Sequence, residues 1–381
     1  MLFSEIIGQK EIKKQLIQTA SENRIPHAQL FRGPEGVGKL ALAIAYAQYI
    51  SCENKSADDS CGICPSCIKY GKLAHPDLHF VFPVIKPANK QTVVSDDFIG
   101  EFRQSVTLNP YLTIDEWYAK ISDGKKQGMI YTHESGEIIR KLHLKTYEAE
   151  YKVMIIWYPE KMHESSANKI LKILEEPPQK TVFLLVSNTP EEIITTILSR
   201  TQQVHIPKLD EEEIYNSLRT NLSKSDEEAR YASRISNGSY SRAIRISDEK
   251  NQNLENFEQF VDLMRLAWKV GNKKDHSSLK TLKNWSDNMA AVGRERQKKF
   301  LEYAQRMIRE NYILNLRQKD LNYMTVFEDN FSTNFSPFIN ERNVEEMTYE
   351  FSVAQRQTEQ NVNAKMIFFD LTLKTIMLLK R

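Results

Sequence analysis

Neither sign of charge dominates this chain. Its 381 residues set 52 Lys and Arg against 50 Asp and Glu, a formal net charge of +2. That balance argues against a surface wholly devoted to nucleic acid, although it leaves room for a local basic face. Long apolar runs are missing as well. The N-terminal Met1-Leu2-Phe3-Ser4-Glu5-Ile6-Ile7 has no basic segment and no extended apolar core, so no signal peptide is read there. The best candidate for a membrane span, Met366 to Leu379, is short and interrupted by Asp370 and Lys374. These absences predict a cytoplasmic protein. Repeats, low-complexity tracts and long charge runs are lacking too, and the length suggests roughly two or three globular domains able to bury substantial cores.

Cysteine is scarce, and its four copies are confined to one stretch: Cys52, then Cys61, Cys64 and Cys67 in a Cys-x-x-Cys-x-x-Cys run. One tetrahedral site explains four clustered thiols better than four separate core packings do. Disulfides are disfavoured in the cytosol, and buried free cysteines would not gather on Gly, Pro and Ser turns. The reading is structural zinc, closed to substrate because four thiolates leave no open position. The run also resembles bacterial ferredoxin ligation, which keeps an iron–sulfur cluster as the alternative.

The chain is organised around Gly33-Pro34-Glu35-Gly36-Val37-Gly38-Lys39-Leu40, between the apolar run Ala28–Phe31 and a helix-favouring run from Leu40 to Ile50. In the pattern G-x-x-x-x-G-K-[ST], Gly33, Gly36 and Gly38 let backbone N–H groups close on a polyphosphate, and Lys39 reaches its oxygens. A hydroxyl should follow the lysine to hold Mg²⁺, but Leu40 has no lone pair to offer a hard cation. A second support is missing further on. The buried strand Val153-Met154-Ile155-Ile156 should end on an Asp; it runs instead into Trp157-Tyr158-Pro159-Glu160, with the acid beyond a proline. Two independent losses at one function predict a loop that can hold phosphate, with nucleotide binding left open and hydrolysis lost.

The rest of the chain supplies a scaffold. Between strand and phosphate motifs, His75-Pro76-Asp77-Leu78 reads as a turn entering a strand rather than as a ligand set. The stretch from Lys86 to Gln127 mixes polar turns with aromatic helical fragments and reads as an insertion or long connection. Ala167, Ile170, Leu171 and Leu174 mark an amphipathic helix stopped by Glu175-Glu176-Pro177-Pro178, and Val182–Val186 delivers Ser187-Asn188-Thr189 to a strand end where α/β folds place ligand contacts. Ser199 and Arg200, on residue chemistry alone, are ordinary surface positions. After Pro207 and Asp210-Glu211-Glu212-Glu213 the chain reads as helical. Its last helix is expected to bury a stripe through Val362, Met366, Phe369, Leu373, Ile376 and Leu379.

Together these residues resemble the clamp-loader branch of the AAA+ family. The resemblance rests on Ile7-Gly8-Gln9, His27-Ala28, the glycine loop, the four cysteines, His75-Pro76-Asp77-Leu78, the block Asn168 to Pro178, Ser199-Arg200, Gly238, Arg242 and Asn361-Val362-Asn363. Thr201 departs from the family's Ser-Arg-Cys. The resemblance implies an α/β AAA+ P-loop domain over 1–207 with an inserted zinc module at 52–67. A small helical lid domain over 208–247 and an all-α collar domain over 248–381 would follow. It further implies a component of the DNA polymerase III holoenzyme that works with motor subunits and a delta subunit. Through them it would act on the sliding clamp and primed DNA. In such a stator-like subunit there is no intrinsic ATPase, and Arg200, with Ser199, completes a neighbour's ATP site in trans. Asn188 and Arg242 would fall at sensor positions. Two other readings stay open: an active ATPase motor of the same superfamily, and a stand-alone zinc-dependent nucleic-acid-binding protein.

Overall fold

A computed structural model describes residues 1–87, 90–122, 127–248, 250–273, 275–318, 321–360 and 362–381. The chain divides into two compact units, Met1–Arg245 and Ile246–Arg381.

The first unit is built on a parallel sheet of five strands: β1 (Ala28–Arg32), β2 (Leu78–Val81), β3 (Lys152–Trp157), β4 (Thr181–Ser187) and β5 (Gln202–His205), in the spatial order β2-β3-β4-β1-β5. Strands covered on both faces read as continuous apolar runs, which is why β3 and β4 are buried along their whole length. Alternate residues feed two cores. Phe31, Ile155 and Leu184 point into one, and Leu30, Met154 and Leu185 into the other. On the first face lie α1 (Lys10–Ser21) and α2 (Lys39–Ile50); every residue of the Ala-rich α2 is buried, so it is a core helix with no solvent face. The short α3 (Pro65–Gly71) packs against α2 and carries Cys67, with Cys64 as its N-cap.

The stretch between β2 and β3 is no loose connection. It folds into α4 (Ile99–Leu108) and α5 (Ile114–Ile121), whose aromatic residues enter the first core. Phe102 stacks on Phe82 at 3.9 Å between centroids and lies 5.6 Å from Trp157. Trp117 meets Phe82 and Phe102 edge-on and donates its indole N–H to the Pro83 carbonyl at 2.7 Å. Sequence periodicity missed this because both helices are short and their apolar residues are aromatic and unevenly spaced. Lys86 to Gln127 also contains residues 88, 89 and 123–126, which lie outside the described residues.

On the opposite sheet face, α6 (Glu134–His143), α7 (Glu164–Glu175) and α8 (Thr195–Leu198) cover the second core. Beyond β5 come α9 (Glu211–Asn221), α10 (Asp226–Ile235) and α11 (Tyr240–Asp248), the last of which straddles the division between the units.

The second unit is helical among its described residues: α12 (Lys250–Asn272), α13 (His276–Ala291), α14 (Arg294–Asn315), α15 (Val326–Phe335), α16 (Val344–Glu359) and α17 (Ala364–Leu378). Its core is centred on Phe260, Phe300, Met307, Phe351 and Phe368. In α17 the buried face runs through Ile367, Phe368, Leu371, Ile376 and Leu378, with buried Leu379 just after it, while Met366, Phe369 and Leu373, and Val362 before the helix, are exposed. The sequence stripe therefore follows mostly the outer face, because this helix is apolar nearly all round and spacing cannot choose between its sides. Asn363 caps the helix by accepting the Lys365 N–H at 3.0 Å; Asn361 lies outside the described residues. No described helix is long and apolar enough to cross a membrane.

If α4 and α5 are core rather than insertion, Trp117→Ala lowers unfolding stability by about 3–5 kcal/mol, the cost of truncating a fully buried aromatic. Denaturant unfolding of the full chain measures it; a loss below about 1 kcal/mol would refute the assignment.

Candidate functional site: a closed phosphate loop, a cysteine cluster and an arginine

β1 runs straight into Gly33, and α2 begins at Lys39 with Gly38 as its left-handed cap at φ 88°. Lys39 is buried and turns back on its own loop. Its Nζ donates to the Gly33 carbonyl at 2.8 Å and to the Pro34 carbonyl. Burial pulls its pKa down to about 8, against the opposing pull of the Glu35 and Glu160 carboxylates.

The loop is roofed by distant parts of the same unit. A Cβ on Gly36, at φ 79°, would stand 2.1 Å from the Ser239 hydroxyl oxygen, and the Gly36 carbonyl accepts the Tyr240 N–H at 2.9 Å. A Cβ on Gly38 would stand 2.9 Å from the ring of Tyr111. Tyr111 is itself fixed on several sides. Its hydroxyl accepts the Ile7 N–H at 2.9 Å, its carbonyl accepts the Ser241 hydroxyl at 2.6 Å, and its ring meets Tyr240 edge-on at 4.9 Å. With Leu40, Leu112, Trp157 and Tyr158 also in the wall, the remaining cavity is about 20 Å³. That leaves a narrow cleft against the loop, with room for about one water.

Both positions that ought to support a metal are apolar and buried: Leu40 is 4% exposed and Trp157 3%. The acid beyond the proline serves the scaffold instead, since Glu160 Oε1 accepts the N–H groups of Asn188 at 3.0 Å and Thr189 at 3.3 Å. Asn188 completes this clasp by donating its side-chain amide to the Tyr158 hydroxyl at 2.6 Å. Arg242 is exposed on α11. His75 and Asp77 brace a loop: the Asp77 carboxylate accepts the N–H groups of Tyr147, Glu148 and Ala149, and His75 Nδ1 accepts the Asp77 N–H at 3.1 Å.

The sulfur atoms of Cys52, Cys61, Cys64 and Cys67 all lie within 4.8 Å of one another, with Cys52 to Cys61 at 3.6 Å and Cys61 to Cys67 at 3.9 Å. Tetrahedral ligation at a metal–sulfur distance of ~2.3 Å sets the sulfurs about 3.8 Å apart, so the four cysteines are close enough to bind one metal ion. Burial pushes the Cys52 and Cys67 thiols up, while backbone N–H groups aimed at the sulfurs oppose it. Cys61 N–H points at Cys52 Sγ, Cys64 N–H at Cys61 Sγ and Cys67 N–H at Cys64 Sγ. Those of Cys64 and Ile63 hold the Cys61 thiol down at about 6.

Ser199 and Arg200 follow α8, on the side of the sheet away from α2. Arg200 is outside the phosphate-loop wall. Its Nε donates to Glu175 Oε1 at 2.7 Å and its Nη1 to the Thr196 carbonyl at 2.8 Å.

Compared with known proteins, residues 8–210 match the family model described as DNA polymerase III, delta subunit, which is more than half of the chain. The chain belongs to that family, within the AAA+ clamp-loader subunits. It is 26% identical over 254 residues to DNA polymerase III subunit tau of Salmonella typhimurium, covering 65% of this chain and 33% of the relative. With the tau subunit of Escherichia coli it shares 28% over 218 residues, 57% of this chain and 27% of the relative. The chain thus spans about a quarter to a third of the length of these relatives. It spans more of the gamma subunit of Buchnera aphidicola, 27% identical over 272 residues, 68% of this chain and 63% of the relative. Among solved structures, a gamma subunit-related protein of Thermotoga maritima aligns over 98% of this chain and 100% of its own, at 12% identity and a TM-score of 0.41.

Sequence reasoning did not find Tyr111, Ser239, Tyr240 or Ser241 as parts of this site. None carries a local signal, and only the fold brings them to the glycine loop.

Two outcomes follow. Lys39 has an ordinary value of 10.5 and a folded value of about 8, so between those pH values the unfolded chain binds more protons and stability rises with pH. Relative to Lys39→Met, the wild type therefore gains roughly 2–3 kcal/mol from pH 8 to pH 10.5, read from denaturant midpoints at several pH values; a flat difference would contradict the burial. For the cysteines, the purified chain carries about one equivalent of metal by elemental analysis, and Cys64→Ser loses it while amide exchange in α3 accelerates. Unchanged exchange after metal loss would show that the ion does not hold α3.

Proposed function

We propose that the chain is a non-catalytic, stator-like subunit of a replicative clamp loader, the delta-prime type. The observation that carries this reading is that buried Leu40 and Trp157 stand in both metal-supporting places, beside a phosphate loop packed against Tyr111. A motor needs an open pocket and a hydroxyl and an acid around Mg²⁺; here the loop lysine is spent on loop carbonyls, and the acid Glu160 on the end of β4.

Arg200 is offered instead to another subunit. A guanidinium delivered across an interface stabilises charge on the phosphoryl group as it transfers, and Arg is suited to this by its fixed fork of donors. The division into an α/β domain over 1–207, a lid over 208–247 and a collar over 248–381 belongs to the same proposal. So does structural zinc at Cys52, Cys61, Cys64 and Cys67; a four-iron cluster, in which each thiolate binds a different iron, requires a wider spread of sulfurs than this one. The partners are motor subunits and a delta subunit in the cytoplasm, with the sliding clamp and primed DNA reached through the assembly.

The purified chain alone hydrolyses no Mg-ATP above a Lys39→Ala control. In the reconstituted loader, Arg200→Ala slows the one site it completes by roughly 10³-fold, which lowers total turnover by that site's share. Turnover by the isolated chain that Lys39→Ala abolishes would make it a motor, and unchanged turnover of the assembled Arg200→Ala loader would remove the trans role.

A further inference from the structure

Every nitrogen of the Arg200 guanidinium has a partner within the chain. Nε and Nη2 both donate to Glu175 Oε1, the former at 2.7 Å, and Nη1 donates to the Thr196 carbonyl at 2.8 Å and faces the Ser199 hydroxyl at 3.3 Å. Glu175 is the last residue of α7, and Glu176-Pro177-Pro178 stops that helix directly after it. The acid is therefore held at a fixed point, next to the C-terminal end of α8 where Arg200 sits. The edge of the guanidinium formed by Nε and Nη2, which would grip an oxyanion bidentately, is the edge Glu175 occupies.

We propose that Glu175 is a positioning residue that sheathes Arg200: it neutralises and occupies the guanidinium until a nucleotide phosphate on the neighbouring subunit competes for the same donors. The inference rests on the trans role of Arg200 proposed above. A guanidinium paired with Glu175 cannot offer that edge and its uncompensated charge to a phosphoryl group at the same time, so engagement requires the pair to open. The pair is suited to opening. The Arg200 and Glu175 side chains are 33% and 46% exposed, and an ion pair this wet is held by only a small factor, about two- to fivefold.

Sheathing has a kinetic signature distinct from loss of structure. A contact of the free state that must be broken on the way to the transition state lowers kcat/KM by the factor with which that contact is held. Removing the carboxylate charge should therefore raise kcat/KM for ATP at the site that Arg200 completes.

The test is steady-state ATP hydrolysis by the reconstituted loader across a range of ATP concentrations. It compares wild type, Glu175→Gln, Arg200→Ala and the double variant, with the melting temperature of each free chain as the folding control. The expected result is a two- to fivefold higher kcat/KM for Glu175→Gln. Arg200→Ala should depress turnover, and the Glu175→Gln effect should vanish on that background. If Arg200→Ala depresses turnover but Glu175→Gln leaves kcat/KM unchanged or lowers it, the sheath is overturned and the trans role stands. If Arg200→Ala leaves turnover unchanged, the trans role itself falls, and the sheath with it.

Discussion

The ring of Tyr111 lies against Gly38 so closely that the glycine has no space for a side chain, and the rest of the closed site depends on this contact. The same tyrosine takes the Ile7 N–H on its hydroxyl and the Ser241 hydroxyl on its carbonyl. One residue thus ties the N-terminal segment, the glycine loop and the start of α11. Lys39 lies beneath it, its ammonium donating to the Gly33 and Pro34 carbonyls. Those bonds compensate for part of the cost of burying a cation, and the lowered pKa records what is left uncompensated.

The site's working groups are thereby separated. The sheet carries the glycine loop on the α2 side and Arg200 on the α7 and α8 side. An arginine with a nearby carboxylate is costless to carry on a wet surface, because the pair can open when a better anion arrives. The cysteine cluster lies apart from both, at the start of the short α3, which packs against α2.

Much of the first unit was legible from the chain. Strands such as Val153–Ile156 and Val182–Val186 announce themselves as continuous apolar runs, and Glu175-Glu176-Pro177-Pro178 stops α7 by a local rule that nothing tertiary overrides. The span from Lys86 to Gln127 was not legible. Phe102 and Trp117 sit on helices too short to show a period, and their burial depends on meeting Phe82 and Trp157 from other segments. In α17 the sequence offers two apolar faces, and only packing against α13 and α16 selects one.

By itself the sequence determined the two missing metal supports, the clustering of four thiols and the strand–loop–helix that carries Lys39, because each is a matter of which functional group stands at which covalent spacing. The tertiary structure decided what those positions do. Tyr111, Tyr240 and Ser241 are far in sequence from the glycine loop yet form its roof, and Glu175 becomes the partner of Arg200 through the juxtaposition of two helix ends. Contacts of that kind depend on how elements close on one another in space, a property that no local window of residues contains.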